Sequence, residues 1–364
     1  VKRIFSFGLW TVMHRGGDPF GQPTRAPLDP LQAMSGLAAH GAQAFELHAE
    51  DLIPSGSPDA ERDRLIRKAR GLMEDVGIIC VACGSDVFSD PVFRDGGLTS
   101  NEARVRRQAI ARYKAAIDVG HLLDAPLFNI WGGRDGAEVD ASRSPLDALK
   151  RLRDGFNELA DYIARQGYNM RLSIEPKPNE PRGDLYLSTV GHTLGLIATL
   201  EQPDRVGVVL ELAHAAMAGL NPAYEVAHAL HAGKLFGIHL NGQRPLRFDQ
   251  DLRFGGANLK DGFFVVKLLE EEVWPGPRSF DARPYRTTDG QGVWQFVEGC
   301  IRAYQILAEK VQQYHDDPEV QHLLAEIASW DTEEPDDAGG ASAPRVFAYE
   351  RLDHLVFEIL MGTR

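Results

Sequence analysis

Met170-Arg171-Leu172-Ser173-Ile174-Glu175-Pro176-Lys177-Pro178-Asn179 is the stretch on which the fold turns. An apolar, strand-like run ends on a carboxylate, and an ammonium follows two residues later. In an extended backbone, positions i and i+2 project to the same side. Glu175 and Lys177 therefore face one space, and Pro176 and Pro178 stiffen the backbone that carries them. Opposite charges held out of water need a partner that uses both, such as a metal ion together with a polar substrate oxygen. A surface loop with an incidental ion pair is the other reading of the segment taken alone. The other strands decide between them.

Short apolar runs are expected as strands at Arg3–Trp10, Ala44–His48, Gly77–Cys83, Pro126–Trp131, Met170–Glu175, Val206–Glu211, Leu235–Leu240 and Pro277–Asp281. Helical patterns alternate with them, from Leu28–Gly41 through Pro145–Gln166 to Gly292–Tyr314. Eight strands alternating with eight helices predict an α/β chain folded as a (β/α)8 TIM barrel. A doubly wound open sheet is the alternative, but no glycine-rich phosphate turn follows the first strand. Strand after strand closes on a chemically able or aromatic residue: Trp10, His48, Trp131, Glu175, Glu211, His239 and Asp281. Active sites of such barrels gather at the carboxyl ends of the strands.

The barrel pattern occupies residues 1–314, and a C-terminal helical arm occupies 315–364. Within the arm, a helix from Pro318 to Ser329 leads to an acidic, Pro/Gly/Ala-rich linker at 332–344. A last amphipathic helix carries Leu352, Leu355, Val356, Ile359 and Leu360 on one stripe. That stripe can bury itself against its own barrel or a neighbour's, and the reach of the linker favours subunit contacts.

The chain of 364 residues is 43% hydrophobic and 25% charged, which suits a globular protein with an ample core. Its net charge of −13 argues against nucleic acid as a partner. No apolar run approaches the roughly 20 residues that span a bilayer, so no membrane role is expected. The start, Val1-Lys2-Arg3-Ile4-Phe5, runs into a strand pattern without an export signal, and three cysteines make no disulfide framework. Cys80 and Cys83 have CxxC spacing but lie in an apolar run and read as buried thiols. Reduced thiols and a cytoplasmic location are expected.

Asp249-Gln250-Asp251 places two carboxylates so that both can hold one hard cation. Glu211-Leu212-Ala213-His214 adds a carboxylate at a strand end and an imidazole just beyond it, and Asp281 follows another short strand. With Glu175 this makes five carboxylates at one barrel mouth. They would repel one another strongly unless cations neutralised them, and two divalent ions fit the charge. Any one of these acids alone would read as a solvated loop residue. His48 and Asp51 form a second unit: a carboxylate beside one ring nitrogen fixes the tautomer and raises the basicity of the other, as a general base requires. Trp10, Phe20, Phe88 and Trp131 either wall the pocket or belong to the core.

The chain resembles xylose isomerase of the shorter, actinobacterial-type class over nearly its whole length. The matching stretches include Phe7-Gly8-Leu9-Trp10-Thr11-Val12, Asp18-Pro19-Phe20-Gly21 and Asp51-Leu52-Ile53-Pro54. They also include Trp131-Gly132-Gly133-Arg134, Glu175-Pro176-Lys177-Pro178-Asn179-Glu180-Pro181-Arg182-Gly183-Asp184 and Asp249-Gln250-Asp251-Leu252-Arg253-Phe254-Gly255. The resemblance implies a metal-dependent aldose–ketose isomerase that uses two divalent ions (Mg2+, Mn2+ or Co2+) and a hydride shift on a small sugar substrate. It implies that Glu175, Glu211 and Asp281 hold a first metal. Glu211 would bridge to a second, held by His214, Asp249 and Asp251. His48, oriented by Asp51, would help open the sugar ring, and Lys177 would hydrogen-bond the carbonyl-end oxygen. Trp10, Phe88, Trp131 and a Phe20 from an adjacent subunit would line the apolar wall, in a homotetramer embraced by the C-terminal arms.

The chain also departs from that family. An aspartate ligand to the first metal is replaced in Ile238-His239-Leu240-Asn241-Gly242 by His239, which either ligates or swings away. As a ligand, a neutral imidazole shifts the preference from Mg2+ toward softer ions. His14, Gly84, Asp86 and Arg283 replace a tryptophan, a threonine, an asparagine and a lysine, so a roomier, more polar pocket is expected. Isomerisation or epimerisation of another sugar, and a sugar- or metal-binding paralogue with little turnover, are the competing readings.

Overall fold

A computed structural model describes residues 3–329 and 348–364. Eight parallel strands form in it: β1 Phe5–Gly8, β2 Ala44–His48, β3 Ile79–Gly84, β4 Leu127–Trp131, β5 Arg171–Glu175, β6 Val206–Glu211, β7 Leu235–His239 and β8 Arg278–Phe280. Each pairs with its successor and β8 pairs with β1, so the sheet closes into a barrel. Strand pairing sets Trp131 opposite Glu175, Glu211 opposite His239 and His48 opposite Gly84. The functional strand ends therefore meet at one mouth.

Alternation along the strands separates the two faces. Phe7, Phe45, Phe128, Leu172, Ile174, Leu210 and Phe280 point outward into the main core against the helices. Each such side chain stabilises the fold by roughly 1.5–3 kcal/mol relative to exposure. Inside the barrel, Ala82, Leu127 and Val209 pack with Phe236 as a separate small cluster. This apolar floor lies below the mouth, where the inward positions turn polar: Glu46, His48, Ser173, Glu175, Glu211 and His239.

Strand ends differ from the sequence expectation by a residue or two for local reasons. The first strand stops at Gly8 because Leu9–Val12 turns into a short helix whose Thr11 hydroxyl donates to the Gly8 carbonyl. Trp10 consequently sits just past the strand, over the mouth. Helix Pro145–Gln166 matches its expected bounds, with Ser144 as N-cap and Gly167 at φ 69° ending it.

The arm comprises helices Pro318–Ser329 and Tyr349–Met361. Within its own chain the apolar stripe packs on helix Gly290–Asp316, burying Leu355, Val356 and Ile359. Ion pairs fasten it: Arg351 bonds Glu319 at 2.6 and 2.8 Å, and Arg364 pairs with Asp317 and Glu319. Tyr349, Phe357 and Met361 remain exposed on this helix. The expected linker at 332–344 lies outside the described residues. No helix among the described residues is long and apolar enough to cross a membrane.

Candidate metal centre

The mouth of the barrel opens into a cavity of about 470 Å3 lined by Trp10, Glu46, His48, Asp51, Phe88, Trp131, Glu175, Lys177, Glu211, His214, Asp249, Asp251 and Asp281 among others. Two overlapping groups of potential ligands lie in it. Glu175, Glu211, His239 and Asp281 present ligand atoms all within 4.8 Å of one another, as do Glu211, His214 and Asp249. Glu211 belongs to both, so it is placed to bridge two ions. Asp251, expected as a further ligand, falls outside these groups: its Oδ2 lies 3.1 Å from an Arg283 Nη and its Oδ1 accepts weakly from Asn241 at 3.4 Å.

The donor set suits divalent cations. His214 Nδ1, His239 Nδ1 and Asp249 Oδ1 are buried without any hydrogen-bond partner, although buried polar atoms are nearly always paired. On His214 the other nitrogen, Nε2, faces Glu211 and Asp249, each at 3.4 Å. Carboxylate and imidazole around an enclosed point are the ligands that Mn2+, Co2+ and related ions take. His239 has not swung away. Its Nδ1 sits 3.2 Å from Glu175 Oε2 and 3.8 Å from Asp281 Oδ2.

The electrostatics show what the cluster lacks. Burial and the neighbouring acids Asp249, Asp281 and Asp251 push the Glu211 carboxyl well above its ordinary range. Burial and Asp249 do the same to Asp251, and burial raises Asp281. Burial also opposes ionisation of Glu175, but His239 and His214 overcome it and bring that carboxyl down to about 2. Asp249 is likewise held well below its usual value against burial by His214 and Lys177. The Lys177 ammonium donates to Asp249 Oδ2 at 2.8 Å and lies 5.2 Å from the Trp131 ring.

His48 ends β2 and caps the short helix Ala49–Leu52, where Asp51 Oδ2 accepts from the His48 backbone N–H at 2.8 Å and lies 3.6 Å from Nδ1. Burial disfavours the imidazolium, yet Asp51 together with Glu50 and Asp86 more than compensates, so the ring's pKa is raised. The ring lies against Trp10 at 4.6 Å and Phe88 at 5.6 Å, and Phe88 meets Trp131 edge-on at 4.7 Å. Asp86 Oδ1 accepts from the backbone of Phe88 and Ser89 and fixes that loop. At Gly84 a Cβ would come 3.1 Å from the Asn129 carbonyl and 3.3 Å from His48, so this glycine permits close approach rather than simply enlarging the pocket.

Phe20 is the exception among the expected wall residues: it does not line its own chain's cavity and is 100% exposed. Conversely, three positions that bond the candidate ligands escaped the sequence reading. Asn129 donates to Glu175 Oε2 at 2.6 Å, Asn241 donates to Glu211 Oε1 at 2.8 Å, and Glu46 bonds His239 Nε2 at 3.0 Å. Asn129 and Glu46 each lie two residues before a strand-end site residue, Trp131 and His48. Strand alternation alone could have flagged them.

Comparison with known proteins agrees with this geometry. Residues 35–295 match the family model described as xylose isomerase-like TIM barrel. Xylose isomerase of Thermus caldophilus is 45% identical over 377 aligned positions, covering 99% of this chain and 97% of that protein. Xylose isomerase of Thermus thermophilus shows the same identity and coverage. Among solved structures, a D-psicose 3-epimerase from Clostridium cellulolyticum with D-tagatose superposes with a TM-score of 0.64 at 12% identity, covering 84% of this chain and 99% of that one. A putative xylose isomerase from Rhodospirillum rubrum gives 0.64 at 17% identity, covering 84% and 99%. These structural likenesses show the barrel alone; the sequence relatives and the family model go further, and this chain belongs to the xylose isomerase family.

Proposed function

We propose that the protein is an aldose–ketose isomerase that interconverts D-xylose and D-xylulose, and D-glucose and D-fructose, with two divalent cations in the barrel mouth. The observation that carries this reading is the pair of ligand groups sharing Glu211, with unpartnered His239 Nδ1, His214 Nδ1 and Asp249 Oδ1 around them. The 45% identity to xylose isomerases supports the choice of sugar. Glu175, Glu211, His239 and Asp281 would hold one ion, and Glu211, His214 and Asp249 the other. Asp251 would join the second after leaving Arg283. When bound, such ions supply Lewis-acid polarisation of the sugar oxygens.

The chain's own residues do the rest. His48, held by Asp51, accepts and returns a proton at the sugar ring as it opens. Lys177, steadied by Asp249, donates a hydrogen bond to the carbonyl-end oxygen. Trp10, Phe88 and Trp131 cover the sugar's apolar face and keep bulk water from the reacting carbons. Phe20 completes that wall from an adjacent subunit in a homotetramer. Its full exposure, with the partial exposure of Phe357 and Met361, supports such an assembly. Three unpaired, buried cysteines support a cytoplasmic setting. The imidazole in the first site favours Mn2+ and Co2+ over Mg2+.

The test is ketose formation from xylose, glucose, ribose and rhamnose by chelator-stripped protein after add-back of each ion. Restoration by Mn2+ or Co2+ with xylose as the best substrate is expected. Full activity in excess chelator, or metal and sugar binding without any ketose, would sink the proposal.

A further inference from the structure

Glu46 is a carboxylate in an odd place. It lies on β2 between Phe45 and Leu47, two residues before His48, so its side chain enters the barrel on the same face. It is 5% exposed, and among the described residues no lysine or arginine comes within 4.0 Å of it. Its ion-pair partner is the ring of His239 on β7, across the barrel, with Glu46 Oε2 at 3.0 Å from Nε2. A buried anion without a strong cation is expensive to keep unless its partner needs it.

We infer that Glu46 is a positioning residue that makes His239 the first-site ligand: it takes the Nε2 proton in a hydrogen bond and aims the Nδ1 lone pair at the cation. An imidazole that donates from one nitrogen presents an acceptor at the other. Nδ1 has no hydrogen-bond partner and faces Glu175 and Asp281, in the four-residue group that shares Glu211. Such an outer carboxylate would fix the ring and strengthen it as a ligand for a cation held at Nδ1. Glu46 thereby places beside the first site, one layer out, the negative charge that a neutral ligand does not bring. This rests on the metal-centre reading above.

The experiment uses full-length protein, stripped with chelator and titrated with Mn2+, in the parent, Glu46→Gln and Glu46→Leu. Free Mn2+ and the nitrogen couplings of bound Mn2+ are followed by electron paramagnetic resonance. The parent should bind two ions. Glu46→Gln, which keeps the shape and a weaker acceptor, should weaken one of them about tenfold, and Glu46→Leu up to about 100-fold. The second ion's affinity should hold within about twofold, and the nitrogen coupling of the weakened site should fall. Unchanged affinities and couplings in Glu46→Gln overturn the inference, because a merely space-filling Glu46 gives that result. An equal loss at both sites in Glu46→Gln overturns it too. Failure of the parent to take up any Mn2+ brings down the metal-centre reading itself, an outcome distinct from the other two.

Discussion

Replacing His239 by aspartate restores the residue that the resemblance places at this position, and for that reason it is an informative substitution. The barrel interior predicts that it harms this protein. In the parent, His239 stands between Glu46 at 3.0 Å and Glu175 at 3.2 Å, and both hold its proton well above the ordinary imidazole range despite burial. In His239→Asp a cation is lost and an anion is put in its place. Glu46 is stranded without a partner, close to two other acids. Two unit charges about 4 Å apart at an effective dielectric near 20 repel by about 4 kcal/mol, within the roughly 3–5 kcal/mol that breaking a buried pair costs. A chain this long should lose about 5 °C in Tm for that amount. Thermal unfolding in excess chelator reads it directly. The double variant Glu46→Gln/His239→Asp removes one of the clashing charges and should recover at least half of the loss, giving a clear coupling in the double-mutant cycle. If His239→Asp melts within about 2 °C of the parent, or the two substitutions simply add, the pairing of Glu46 with His239 has no energetic weight and the reasoning fails.

Three further outcomes are expected. Burial and like charge raise the carboxyls of Glu211, Asp251 and Asp281, and the proton on His239 is also tightly held, so protons must leave before a cation is seated. Raised values mean protonated ligands at lower pH, so Mn2+ affinity should climb from pH 5.5 to 7.5, about tenfold per pH unit for each proton displaced. Calorimetric titration in buffers of different ionisation heat measures this, and a flat affinity refutes it. Lys177→Met should lower kcat/KM about 100-fold or more while Mn2+ content is retained, since Asp249 loses a competing partner; near-parental turnover would count against Lys177. Phe20→Ala should raise the KM for xylose about tenfold, because the ring is fully exposed in its own chain and is proposed to wall the neighbour's pocket. An unaltered KM would remove Phe20 from the neighbouring pocket.

The barrel was legible because its signal is long-range and repetitive: apolar runs at regular spacing, seven of the eight carrying a polar or aromatic residue at or beside the end. The acids Glu175, Glu211 and Asp281 were legible for the same reason, each standing at or just past a strand end, and Asp249 by its spacing from Asp251 in a loop. Side-chain direction was harder. Asp251 has the right spacing from Asp249, but Arg283 competes for it from another loop, and no local pattern reveals that contest. The last helix shows an apolar stripe, and a stripe says only that something must cover it. That the cover is Gly290–Asp316 of the same chain depends on three-dimensional packing. Glu46 and Asn129 were hidden among apolar neighbours on strands, where alternation would have revealed them once the barrel was assumed.

Trp10 hydrogen-bonds Asp281 Oδ1 through its indole nitrogen at 2.8 Å, so an indole touches a candidate ligand carboxylate. The barrel mouth thus carries its own optical reporter. A paramagnetic ion arriving beside Asp281 should dim Trp10 emission, and a sugar laid against the rings should shift its colour. Filling of the two sites could then be followed in unlabelled protein, and Trp10→Phe would silence the first signal while leaving Trp131 to report the second.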